Sequence, residues 1–173
     1  MINSKKTKDK CWGEYKLDKD ESNIQLEPNI PKSMYEEIIK QAKGNKHYNT
    51  IYRVAKWGQI EEKVFLNTYG EIQENIIPDN EERYPKDEIG TYSISVYTER
   101  TSCDKFIKML KKSKRLKQIY PYPIIIKGKT SNGFVQKTKE RKDSYDDPTH
   151  IDWWLFAQKK NIVLKDFEKV NDN

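Results

Sequence analysis

The chain has two cysteines in 173 residues, Cys11 and Cys103, and they fall into no CxxC or other metal-ligand spacing. That excludes a disulfide-dense scaffold and the common zinc modules, and free thiols in a reducing compartment are a better reading than one isolated disulfide. Long apolar runs are missing too. The longest, Trp153–Ala157, is far shorter than the roughly 20 residues of a spanning helix. Met1-Ile2-Asn3-Ser4-Lys5-Lys6 has no apolar stretch after its lysines, so no secretory signal is expected. The expectation is a cytoplasmic protein with no membrane partner. Alanine occurs only at Ala42, Ala55 and Ala157, against abundant Lys, Ile, Asn and Tyr. Such a bias follows from AT-rich coding, so the net charge of +6 is not by itself the signature of a partner. Neither GxGxxG nor GxSxG occurs. Gly128-Lys129-Thr130 is similar to the tail of a P-loop, but the first glycine of that motif would fall on Pro123, and a turn follows where a helix is needed.

What is present describes a folded domain. Aromatic residues reach 12%, too many for a disordered chain. A length of 173 residues fits one domain that buries about 70% of its unfolded surface. Residues 1–22 are polar, lysine-rich and aperiodic and read as a flexible leader, leaving 23–173 as a single domain. Basic charge is concentrated: residues 104–142 hold 13 Lys/Arg against 2 Asp/Glu, whereas the flanks are mildly acidic.

Apolar spacing and turn residues predict the elements. Ser33 and Glu36 form a capping box that opens a helix ended by Gly44. Tyr48–Trp57 reads as a strand. Residues 59–77 are ambiguous, and 78–90 form a loop. Thr91–Tyr97 alternates as a strand, with Tyr92, Ile94 and Val96 facing one way and Ser93 and Ser95 the other; such a Ser-x-Ser face is most often solvent-facing. Thr101 caps a helix whose apolar stripe is Cys103, Phe106, Ile107 and Leu110. Ile124–Lys127 is a buried strand, 131–133 a turn, 136–148 a charged loop, Thr149–Phe156 a strand, and Asn161–Phe167 a last strand. The class is α+β, with central, mostly antiparallel β structure and a few flanking helices.

Candidate site residues follow. Cys103 lies on an apolar helix face and reads as a core thiol. Asp146, Asp147, His150 and Asp152 could ligate a metal, yet their spacing matches no standard site, and a turn followed by a solvent-facing pair accounts for them. No metal is expected. Lys105, Lys108, Lys112 and Arg115 recur on one side of the basic segment and could neutralise phosphates, with Tyr120 and Tyr122 as stacking surfaces; a nucleic-acid partner is one reading and a solvated face the other. Trp153 or Trp154, if exposed, would anchor a protein partner.

One constellation is spread along the chain: Tyr52-Arg53 in a strand, Ser93-Ile94-Ser95 in a strand opened by Gly90-Thr91-Tyr92, a helix over Cys103–Leu110, the apolar strand Ile124-Ile125-Ile126-Lys127-Gly128, and His150-Ile151-Asp152. This order resembles the arginine–serine–glutamate class of the ADP-ribosyltransferase fold over about residues 48–167. The resemblance implies that Arg53 holds an NAD pyrophosphate and that Ser93 supports the site. Asp152, one methylene shorter than the family's glutamate, would meet the ribose and stabilise the cationic sugar as nicotinamide leaves. Ser95 and His150 would line the same cofactor cleft. The implied activity is transfer of ADP-ribose to a macromolecule or cleavage of NAD, and the shortened carboxylate leaves an inactive or purely binding member as an alternative.

Overall fold

A computed structural model describes residues 24–171. The leader assignment, Cys11 included, lies outside the described residues. The protein is an α+β domain built on one six-stranded sheet of order β4-β5-β2-β1-β3-β6, antiparallel at every pairing. The strands are β1 (Ile51–Ala55), β2 (Ile94–Tyr97), β3 (Ile124–Gly128), β4 (Gly133–Lys137), β5 (His150–Leu155) and β6 (Glu168–Lys169). Among the described residues no helix is long and apolar enough to cross a membrane.

Both sheet faces are covered, which explains why β5 is buried at every residue. One face packs Ile51, Ala55, Ile94, Val96, Ile126, Ile151 and Trp153 against Val64 and Phe65 of a 3-10 helix (Glu62–Phe65) and against Val163 and Phe167. The other face is covered at two places. Helix α1 (Lys32–Ala42) lies over Phe134 and Trp154. Helices α3 (Arg100–Lys112) and α4 (Lys114–Ile119) lie over Val54 and Ile125 through Cys103, Leu110 and Leu116. The short helices α2 (Thr68–Gln73), α5 (Thr138–Arg141) and α6 (Lys160–Val163) complete the chain.

Several local expectations are corrected. Helix α1 starts at Lys32 with Pro31 at its N-cap and no side-chain cap, so Ser33 and Glu36 form no capping box. The fixed φ of Pro31 starts the turn instead, and Met34 N–H bonds its carbonyl at 2.9 Å. Glu99, not Thr101, holds the N-cap of α3. Residues 136–148 are not all loop, since they hold the end of β4 and all of α5. The expected strand Asn161–Phe167 is helical over 161–166, the end of α6 followed by a 3-10 turn (Leu164–Asp166), and Phe167 is the extended residue after it; Val163 and Phe167 are buried while Ile162 is exposed. Trp153 and Trp154 are both fully buried, on opposite faces, because both faces are covered. Neither is an exposed anchor.

Candidate functional site

The pairing of β1 with β2 is short. A single register pair, Tyr52 with Tyr97, joins them, whereas β1 pairs with β3 along its whole length. Arg53 fills the gap where the ladder stops. Its Nη1 donates to the Ser95 carbonyl, its Nε to the Val64 carbonyl at 2.6 Å and its Nη2 to the Leu66 carbonyl at 3.2 Å. Three of five N–H groups are thereby used, and among the described residues none of the acceptors is a carboxylate. Burial works against the guanidinium charge, and Glu71 supports it from a distance. A guanidinium nevertheless stays protonated, so a cation is held in the interior by hydrogen bonds to carbonyls, with Glu71 as a distant counter-charge and, among the described residues, no carboxylate bonded to it.

A cavity of about 480 Å³ opens at this gap. Arg53, Ser93, Ser95 and His150 line it, and Tyr97, Phe106, Tyr120 and Tyr145 supply aromatic walls. Ser93 and Ser95 are therefore not solvent-facing: Ser93 is buried and Ser95 half-buried. Four of the five site residues that the family resemblance implies thus share one cavity. The fifth, Asp152, is absent from its walls.

Asp152 sits behind the cavity, 1% exposed, rather than lining it beside Arg53 and Ser93 as the resemblance implies. Its Oδ1 accepts the Ser93 hydroxyl at 2.7 Å, and its Oδ2 accepts Arg141 Nε at 3.1 Å and Nη2 at 2.9 Å. Arg141 also donates to Glu88 at 2.5 Å. Burial opposes the charge on Glu88, but Arg141 and Lys142 outweigh it and hold the carboxyl below its usual range. Gly90 makes this approach possible, because a Cβ there would collide with the Arg141 guanidinium. That is a steric reason for the glycine opening the Gly90-Thr91-Tyr92 segment, which forms a 3-10 helix (Ile89–Tyr92) rather than strand.

His150 is also buried. Its Nδ1 is hydrogen-bonded with the Thr138 hydroxyl, and its ring lies 4.8 Å from that of Tyr145 and 5.2 Å from that of Tyr97. Burial lowers its pKa, with Asp152 and Asp147 opposing and Arg141 and Arg53 reinforcing, so the imidazole is neutral near pH 7. Asp147 accepts from the Thr149 amide at 2.9 Å and hydroxyl at 2.7 Å, the bonding of a turn, and Asp146 is exposed. Among the described residues no three His, Cys, Asp or Glu side chains gather as a metal-holding group.

Sequence reasoning missed a second cluster in the cavity. Lys56 Nζ bonds both carboxylate oxygens of Glu71, at 2.6 and 2.7 Å, and lies 5.8 Å from the centre of the Tyr120 ring and 6.0 Å from that of Phe106. Burial pulls the Lys56 pKa down and Glu71 pulls against it. Burial also pushes the Tyr120 hydroxyl up to about 12, and among the described residues it has no hydrogen-bond partner. Lys56 stands three residues after Arg53 just past a strand, a spacing that carries no motif, and Glu71 lies in the stretch whose structure was ambiguous. Tyr120, expected as an exposed stacking surface, is buried; Tyr122 is exposed.

The basic segment is split. Lys105, Lys108 and Lys112 lie on α3, but Ser113 ends that helix and caps α4 by accepting from Leu116 N–H, so Arg115 belongs to a different helix. All four side chains are exposed. Cys103 is a free, buried thiol whose pKa burial pushes up to about 12, the opposite of a nucleophile's tuning. No family model, curated protein or solved structure matches the chain.

Proposed function

We propose that the cavity binds a dinucleotide of the NAD type, with Arg53 holding pyrophosphate oxygens. What carries this reading is the buried guanidinium of Arg53, which keeps two N–H groups to spare and has no carboxylate partner among the described residues. A buried cation with no carboxylate in direct contact is costly, and an anionic ligand lowers that cost. Bidentate N–H donation suits phosphate oxygens. Ser93, Ser95 and His150 line the same space, and the aromatic walls offer faces on which a base can lie. The volume is within the range of small-molecule sites, roughly 300–1,000 Å³.

NAD would bring a glycosidic bond that can be cleaved to transfer or release ADP-ribose. The chain's own contribution to that chemistry is weaker than its contribution to binding, because Asp152 is bonded to Ser93 and Arg141 and lies outside the cavity walls. Asp152 therefore acts here as a positioning residue that fixes Ser93. The protein is read as a dinucleotide-binding domain of the cytoplasm rather than an efficient transferase.

The test is ligand-induced stabilisation. NAD or ADP-ribose at 100 times Kd stabilises by about 2.7 kcal/mol, which for a domain of this size raises Tm by about 5–10 °C. Arg53→Lys keeps the charge and loses the fork, so the shift should shrink severalfold. No shift at millimolar NAD or ADP-ribose counts decisively against the proposal.

A further inference from the structure

We infer that Glu71 is the carboxylate that reads a sugar diol on the bound ligand. The inference rests on the dinucleotide reading and names the group that would set its specificity. Among the described residues Glu71 is the one acidic residue on the walls of the cavity. It is 6% exposed and held by helix α2, whose N-cap Asn67 accepts the Gly70 amide at 2.7 Å and exchanges side-chain hydrogen bonds with Asn29 at 2.8 and 3.0 Å. Its position is therefore fixed before any ligand arrives.

Its bonding leaves capacity for that task. A carboxylate offers about four lone-pair sites. Lys56 takes one on each oxygen, so each oxygen keeps a site for a hydroxyl donor. The bonding of Asp152 differs, since three donors are already spent on it and it lies away from the cavity. Lys56 also sets the limits of what Glu71 accepts. The ion pair is neutral overall, so it attracts neither phosphate nor a free cation strongly, and a neutral group with two adjacent O–H donors matches the remaining lone pairs. Arg53 lies close enough for the two charges to influence each other, which puts an anion site and a hydroxyl site in one cavity, as a nucleotide diphosphate requires. Buried acceptors left unpaired by an analogue lacking the hydroxyl make such a site selective.

The diol can belong to either ribose of a dinucleotide, and the two arms of the test separate them. Calorimetric affinities are measured for ADP against 2′-deoxy-ADP, which reports the adenosine ribose, and for ADP-ribose against ADP, which reports the terminal ribose. The wild-type protein should prefer the hydroxyl-bearing ligand at least tenfold in one arm, and Glu71→Gln should cut that preference to within about threefold while keeping ADP binding. Glu71→Gln strips Lys56 of its counter-charge, so Lys56→Met/Glu71→Met, which removes both charges together, is measured beside it and should show the same loss of preference. An unchanged preference in either folded variant, or no preference in the wild-type protein, overturns the inference while leaving the dinucleotide reading in place. Failure of the wild-type protein to bind any of these ligands overturns both.

Discussion

Arg141 meets Asp152 through two nitrogens on a single carboxylate oxygen, while the Ser93 hydroxyl takes the other oxygen. Both charged side chains are buried, so each depends on its partner. Arg141→Met should cost about 3–5 kcal/mol, because the Asp152 charge is then left in the interior without compensation. Replacing both, as Arg141→Met/Asp152→Leu, should cost clearly less than the sum of the single changes. Urea unfolding of the four proteins closes the cycle.

Arg53→Ala should also destabilise the ligand-free protein, by at least about 3 kcal/mol. Three carbonyls, those of Val64, Leu66 and Ser95, lose a charged donor at once, and a hydrogen bond to a charged group contributes about 1.5–3 kcal/mol. A mild effect in urea unfolding would mean that water reaches those carbonyls readily and that the guanidinium is less desolvated than its burial implies.

Trp153→Ala and Trp154→Ala should each cost about 3–5 kcal/mol, since both rings are fully buried. Trp154→Phe keeps an aromatic ring but loses the indole N–H bond to the Ile89 carbonyl at 3.0 Å, which by itself should cost about 1–3 kcal/mol, with a further cost for the smaller ring. Thermal unfolding distinguishes the three variants.

The stability of the protein should fall as the pH drops below about 6.5. The folded-state pKa of His150 is lowered, so the neutral ring is favoured in the fold and the unfolded chain binds the extra proton first. Its contribution is complete above the unfolded value of 6.5 and is lost as the pH falls toward the folded value. His47, lowered by burial as well, adds a term of the same sign. His150→Asn should flatten the slope of unfolding free energy against pH below about 6.5. An unchanged slope would assign the acid sensitivity to other groups.

The strands read most easily from sequence were those with enough alternating or continuous apolar residues to state a period. Ile94 and Val96 in β2, Ile124 to Ile126 in β3 and the run from Ile151 to Leu155 in β5 did so. Strand β4 was not legible, because only Phe134 and Val135 carry its apolar signal before Gln136 and Lys137 merge with a charged stretch; its place is set by pairing with β5, a long-range fact. The last helix was misread because Ile162, Val163 and Leu164 are consecutive apolar residues and periodicity cannot rank strand against helix in so short a run. At the site, Arg53, Ser93, Ser95 and His150 were legible as residues on neighbouring strands. Whether a strand residue faces water or another layer was not, and that decided the fates of Asp152 and Trp154. The Lys56–Glu71 pair joins two elements across fifteen residues and leaves no local trace.

The single register pair between Tyr52 and Tyr97 divides the sheet mechanically. On one side lie β4, β5 and β2, on the other β1, β3 and β6, and within each trio every pairing has at least two register pairs. The seam between them is bolted by one guanidinium instead of a row of backbone bonds. A sheet of this build bends along its seam at less cost than within either half, and the bolt is the residue that faces the cavity. Occupying Arg53 from the cavity side would therefore tighten the joint itself. The Tyr97 amide, at the edge of the seam, is where slower hydrogen exchange on ligand addition would register the change.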